Sequence, residues 1–394
     1  MLEINLNICE IVLLATLLAF WAIQMCYFWF ALAKPYFYIR SGKGRSNSGL
    51  QGDAPVSVIM YVKGAGYDIP VILLPLLEQD YPEFEVVVVC DGTSFENEDA
   101  LARLKTEFSN LHTTHIPEDT RNISRKKLGL TLGIKAAKYD ILLFTEPDAI
   151  IQTENWISLM ASRFSSEKSI VIGISSLLAR SGFQGKYAAY DHFFSNLQML
   201  SFAVTGRPYT ASGRNLAYLK RHFDEQKGFV AHRLLKTGED DLFINDIATG
   251  GNTAVELAPK SIVLFKTDGI DWKSMKTDHA ITKKYYKRGP VAFWRIEKWT
   301  RLAFFITFLC CIVAGYPFLA LENFLLPAAA LLLFVIRLCS QYFIINKTAS
   351  LLKLEKYYFR LVAFDVYQLF SDAGFFFTGI FKAKENFTYR YEKR

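Results

Sequence analysis

Ile11 to Ala33 is an almost unbroken apolar run whose clearly polar members are Thr16 and Gln24. Such a run has the ~20 residues a helix needs to cross a bilayer core. Glu3 and Glu10 precede it; Lys34, Arg40, Lys43 and Arg45 follow it. A cleaved secretion signal has the opposite order, with positive charge first and small residues after the run. The charges therefore predict an uncleaved anchor over residues 1–34, amino terminus outside and basic flank in the cytoplasm.

The apolar pattern returns near the other end. Leu302 to Leu321 and Phe324 to Ile345 read as two more spans, with Glu322 and Asn323 as a hairpin between them. Arg337 falls inside the second. It reads as a charge that snorkels or pairs within the bundle, with an intramembrane function as the alternative. Lys347, Lys353, Lys356 and Arg360 bring the chain back to the basic side. Leu361 to Phe381 is apolar, but Asp365, Gln368 and Asp372 recur on one helical face, the pattern of an interfacial amphipathic helix. Residues 296–381 are thus expected to hold transmembrane helices and an interfacial helix, and residues 382–394 a basic tail. The net charge of +7 fits positive flanks of membrane helices. No Lys/Arg stripe with interleaved aromatics points to nucleic acid. Cys9, Cys26, Cys90, Cys310, Cys311 and Cys339 have no Cys-x-x-Cys or zinc spacing and read as small hydrophobes.

Between these ends the pattern changes. Residues 35–54 contain the Gly/Ser-rich stretch SGKGRSNSGLQG and read as a linker. Val56 to Val62 and Phe84 to Cys90 are β-branched runs of buried strands; Tyr139 to Phe144 is a third strand. Ile69 to Gln79, Ala100 to Phe108 and Leu128 to Ala137 read as helices. Strands alternating with helices predict an α/β domain over residues 55–295 with a mostly parallel sheet. Ligands bind such sheets beyond the carboxyl ends of the strands. Two strands end there in acid: Asp91, and Glu146-Pro147-Asp148.

Glu146 and Asp148, one residue apart, suit a shared Mg²⁺ or Mn²⁺, which would neutralise a diphosphate leaving group. Ser124-Arg125-Lys126-Lys127 opens a helix, where a basic group and the helix dipole together attract phosphate; a solvated basic turn is the alternative. Glu239-Asp240-Asp241 places three carboxylates in a row, which raise one another's pKa and suit general-base chemistry. An acidic helix start explains the same residues without chemistry.

In this order these residues resemble the family-2 glycosyltransferases, in particular the membrane-bound branch with cellulose, chitin and hyaluronan synthases. The likeness runs roughly from residue 55 to 380. Gln79-Asp80-Tyr81-Pro82 and FEVVVVCDGTS are similar to the family's first motif, Glu146-Pro147-Asp148 to its Asp-x-Asp, GRPYTASGRNLAY to its acceptor-side segment, and Gly238-Glu239-Asp240 to its catalytic Gly-Glu/Asp-Asp. The resemblance implies a GT-A-like nucleotide-sugar-binding domain. Asp91 would contact a uracil, Lys126 would face the diphosphate, Asp148 with Glu146 would hold the metal, and Asp240 would be the base, with Asp241 in reserve and Glu239 beside them. It implies transfer from a nucleotide-sugar, a UDP-sugar, to a lipid-linked or saccharide acceptor by one inverting in-line displacement, in a multi-pass protein of a bacterial inner membrane. The departures are Gly64-Ala65 in place of Asn-Glu, Glu146 as the first metal-site acid, and Met275 to His279 where Gln-x-x-Arg-Trp is usual. Lys283, Lys284, Lys287 and Arg288 are the basic residues nearby. The missing motif makes a non-catalytic scaffold the rival reading; a transporter needs more spans.

Overall fold

The computed structural model describes residues 8–43, 54–117, 124–267, 269–314 and 325–386. They fall into two compact units, residues 38–287 with 373–394 and residues 1–37 with 288–372.

The first unit is α/β. Its larger sheet has the order β3-β2-β1-β4-β8-β6-β9. Here β1 is Val56–Lys63, β2 Phe84–Asp91, β3 Leu111–His115, β4 Ile141–Thr145, β5 Ala149–Ile150, β6 Ile170–Ile172, β7 Ser175–Leu177, β8 Leu216–Leu219, β9 Thr253–Val255 and β10 Val263–Phe265. Strands β3, β2, β1 and β4 are parallel, whereas β8 runs antiparallel to both its neighbours. The largely apolar runs of β1 and β2 fit burial of both faces in a parallel sheet. A small second sheet has the order β5-β10-β7. From β1 the chain steps to β2 and β3 on one side and then crosses back, through the helix after β3, to β4 on the other; at this reversal of strand order a crevice forms at the carboxyl ends of β1 and β4.

The expected strands are all present, each within two residues of the bounds read from the sequence. The three helices expected from the sequence are Ile69–Leu77, Phe95–Glu107 and Arg125–Ala136. Asp68, Ser94 and Ser124 cap them by accepting from the backbone N–H of Val71, Asn97 and Lys127. Polar β3 and the short strands after β4 carry too few residues for an apolar period.

The second unit is helical. Ile8–Cys26 continues through a π-helical stretch, Tyr27–Leu32, into Lys34–Arg40, so the helix reaches past residue 34 into the segment read as linker. Arg288–Ala314, Leu325–Leu351 and the part of Arg360–Asn386 up to Asp372 follow. The expected hairpin Glu322-Asn323, the end of the first C-terminal span and residues 387–394 of the basic tail lie outside the described residues. Among the described residues two helices, Ile8–Arg40 and Leu325–Leu351, are long and apolar enough to cross a membrane.

This unit's burial departs from the sequence reading. The face bearing Asp365 and Gln368 is turned inward: both residues are buried, as are Arg301, Arg337, Glu297 and Gln24. Asp365 Oδ1 accepts from Arg301 at 3.0 Å and Oδ2 from Arg337 at 2.6 Å. Gln368 also accepts from Arg301, at 2.8 Å, and Asp372 pairs with Lys298. Arg337 therefore pairs within the bundle. A buried Arg demands a carboxylate, so the polar spacing that suggests a headgroup-facing surface serves two arginines here.

Candidate active site

A pocket of about 230 Å³ opens at the strand ends, lined among others by Tyr61, Lys126, Glu146, Asp148, Arg214 and Asp240. Topology brings them together. Glu146-Pro147-Asp148 is the segment between β4 and β5. Lys126 lies in the first turn of the helix Arg125–Ala136. Arg214 arrives through antiparallel pairing: Phe144 of β4 lies opposite Leu216 of β8, so two steps further along the same register face Glu146 toward Arg214.

The resulting charges interlock. Arg214 Nε donates to Asp148 Oδ1 at 3.0 Å and Nη2 to Oδ2 at 2.7 Å; the same Nη2 lies 2.8 Å from Glu146 Oε2. Lys126 Nζ is 2.6 Å from Glu146 Oε1 and 2.7 Å from Glu239 Oε1. Burial alone disfavours an ionised Glu146, but the Arg214 and Lys126 charges outweigh it and hold the carboxyl at about 2. Burial likewise opposes the Lys126 charge, and Glu146, Glu239 and Asp240 overcome it to raise that pKa.

Asp240 sits on the pocket wall as the cap of the helix Asp241–Ile247. Its Oδ2 accepts from the Gly213 N–H at 2.7 Å and its Oδ1 from the Asp241 N–H at 2.7 Å. Two glycines permit this. A Cβ on Gly213 would come within 3.2 Å of Asp240 Oδ2, and Gly238 has a φ of +100°. Burial, then the neighbouring Asp241 charge, pushes the Asp240 carboxyl upward, the direction that suits a base.

The other acids divide. Asp241 does not line the pocket; its Oδ2 accepts from Thr282 Oγ1 at 2.5 Å and Tyr286 Oη at 2.6 Å, and it is 2% exposed. Both hydroxyls hold this carboxylate in place beneath the pocket wall. Asp91 also lies outside the lining set. Arg125 grips it with Nε and Nη2 at 2.8 and 2.5 Å, and Tyr61 Oη donates to it. Arg125 holds the Asp91 carboxyl below its ordinary range. Tyr61, which does line the pocket, connects Asp91 to it.

Lys127 turns away from the pocket and donates to the carbonyls of His232, Leu235 and Thr237 at 2.7, 2.9 and 2.8 Å. It thereby ties down the loop that leads into Glu239 and Asp240. Where Gln-x-x-Arg-Trp is absent, the helix Gly269–Thr282 presents Met275, whose Sδ lies 3.7 Å from Arg214 Nη1. Lys276 pairs with buried Asp191 at 2.7 Å. Lys283, Lys284 and Lys287 do not line the pocket, and Arg288 belongs to the helical unit. Its one guanidinium among the described lining residues is Arg214, inside a segment quoted for its resemblance but given no role by the sequence.

Among the described residues no three or more His, Cys, Asp or Glu side chains form a ready metal-ligand group. Glu146 and Asp148 nevertheless turn one oxygen each toward a single cation, the guanidinium nitrogen of Arg214. Two carboxylates, with waters and phosphate oxygens completing the shell, fit the way Mg²⁺ or Mn²⁺ is held at phosphate-transfer sites.

Residues 57–225 match the family model Glycosyl transferase family 2. Among solved structures, the mannosyltransferase PcManGT from Pyrobaculum calidifontis, in complex with GDP-Man and Mn²⁺, is similar at 17% identity and a TM-score of 0.53. The likeness covers 91% of this chain and 99% of that one, and at this identity it concerns the fold, which is GT-A-like. S. aureus TarS, residues 1–349, is similar at 16% identity and a TM-score of 0.40, over 85% of this chain and 93% of that one. No curated protein matches the chain.

Proposed function

We propose that this family 2 glycosyltransferase domain moves a hexose from a nucleotide-sugar, a UDP-sugar in our reading, to a lipid-linked or saccharide acceptor. The observation that carries the reading is the convergence of Lys126, Glu146, Asp148 and Asp240 on one pocket at the carboxyl ends of the strands. Asp240, fixed by two backbone N–H groups, takes the proton from the acceptor hydroxyl as that oxygen attacks the anomeric carbon from the face opposite the diphosphate. The configuration inverts in this single displacement. Lys126 meets the departing diphosphate with positive charge. Glu146 and Asp148 would hold Mg²⁺ or Mn²⁺, which supplies further charge neutralisation at the leaving group. Asp91 reaches the nucleoside through Tyr61 or by exchanging its contact with Arg125.

The helical unit supports a membrane location. Ile11, Val12, Leu309, Leu331, Leu332 and Phe370 are exposed while the arginines are buried, an arrangement that suits a lipid surround. The catalytic domain then lies on the basic-flanked, cytoplasmic side.

The test is transfer and donor hydrolysis by the detergent-purified chain with and without Mn²⁺. Asp240→Asn is expected to remove transfer, a loss of at least about a hundredfold, while donor binding stays within about twofold of wild type. Wild-type turnover in this variant would refute the assignment.

A further inference from the structure

We propose that Arg214 is a resident cation in the metal seat, so that a divalent ion and the donor's diphosphate enter together while the guanidinium changes partners. This rests on the active-site reading above. Glu146 Oε2 and Asp148 Oδ2, the two oxygens turned toward one point, both contact Arg214 Nη2, at 2.8 and 2.7 Å. Mg²⁺ takes carboxylate oxygens at about 2.0–2.1 Å. An ion in that position would stand almost against Nη2, cation against cation, on lone pairs the guanidinium already uses. The metal and this arginine rotamer exclude each other.

The rest of the side chain shows how it would move. Its planar group lies over the Phe265 ring, 4.2 Å from the centroid, a face on which it can slide without losing the contact. Nη1 has the Met275 thioether as its described side-chain partner, at 3.7 Å, and sulfur is a weak acceptor. That edge is ready for a stronger one. A diphosphate brings several anionic oxygens, whereas a metal ion arriving alone offers the displaced guanidinium nothing. Metal and nucleotide should therefore bind with positive coupling, and the coupling must be reciprocal. The arrangement also keeps both carboxylates paired in the absence of donor, which a buried acidic pair requires.

The experiment is titration of Mn²⁺ into the detergent-purified full chain, read by the electron paramagnetic resonance of free Mn²⁺. It is repeated with saturating UDP and, in parallel, GDP. In wild type, nucleoside diphosphate is expected to tighten Mn²⁺ at least about tenfold. In Arg214→Gln, Mn²⁺ alone should bind about tenfold tighter than in wild type, and the coupling to nucleotide should shrink by the same factor, what remains being direct coordination of the metal by the diphosphate. Equal Mn²⁺ affinity of wild type and Arg214→Gln without nucleotide, with Asp148→Ala abolishing both, overturns the exchange and leaves the active-site reading standing. Failure of both proteins to bind Mn²⁺ even with nucleotide overturns the two together. Should Arg214→Gln not fold, Arg214→Lys makes the same comparison, because an ammonium cannot fork across two carboxylates. A rise in Mn²⁺ affinity of about threefold or more is then expected, and no rise refutes the proposal.

Discussion

Asp240 and Asp241 are adjacent acids with opposite surroundings, and the difference is measurable. Asp240 borders the pocket, and burial with the neighbouring Asp241 charge raises its pKa. A base works only when ionised, so protonation on the acid side removes activity. A raised pKa moves that loss to higher pH. The acid limb of kcat/KM is expected above the ordinary Asp value of about 3.9; a profile still flat at pH 4 would contradict it. Asp241 instead satisfies the Thr282 and Tyr286 hydroxyls. Asp241→Asn should therefore cost about 1.5–3 kcal/mol of stability, the worth of hydrogen bonds to a buried charge. Equilibrium unfolding checks this, and an unchanged midpoint would remove the structural role. Lys126, Glu146, Asp148 and Asp240 were legible in sequence because each directly follows an apolar strand, opens a helix or precedes one. Arg214 was not, since its role depends on β8 pairing antiparallel with β4, a long-range register no local pattern encodes.

Elements repeat the lesson. The long strands β1, β2 and β4 announce themselves by largely apolar runs, and Ser124 marks the helix start that carries Lys126. Short strands such as β6 and β9 have three residues each and no readable period. The helix Arg360–Asn386 is the informative failure: Asp365 and Gln368 have amphipathic spacing, but spacing cannot tell a water-facing stripe from one facing buried arginines. Here Asp365 separates Arg301 from Arg337. Asp365→Ala would leave two buried guanidinium groups without that carboxylate, a loss of roughly 3–5 kcal/mol. Glu355→Ala is the control, because the Glu355–Arg360 pair is about half exposed and such pairs contribute about 0–1 kcal/mol. Thermal unfolding in detergent should show a large drop for Asp365→Ala and little for Glu355→Ala. Equal shifts would mean that the buried pairs do not hold this helix.

At the scale of the whole molecule the open question is product length, and the prediction is one or a few sugars on a lipid-linked acceptor instead of a long polymer. The resemblance associates Gln-x-x-Arg-Trp with processive synthesis at the acceptor side. Its place is taken by Met275, which cannot donate a hydrogen bond, and Asp278, which reverses an arginine's charge. Nearby substitutes are committed elsewhere. Trp272 is buried, with edge contacts to Tyr187 and Phe375; Lys276 is paired with Asp191; Lys287 Nζ donates to the Ala248 carbonyl at 3.1 Å. The guanidinium that does reach the pocket, Arg214, is bound to Asp148 and Glu146 on the metal side and leaves an acceptor chain without the usual arginine. A growing polymer must be regripped after every addition, whereas a lipid-anchored acceptor is kept near the enzyme by the membrane itself, which raises its effective concentration without protein contacts. Two helices among the described residues are long and apolar enough to cross a membrane, and on the proposed membrane location they would hold the enzyme beside such an acceptor. Incubation of native membranes with excess donor, followed by lipid extraction and product sizing, decides the matter. A discrete lipid-extractable species is expected, and a ladder running to long polysaccharide would show that residues other than the missing motif grip the chain.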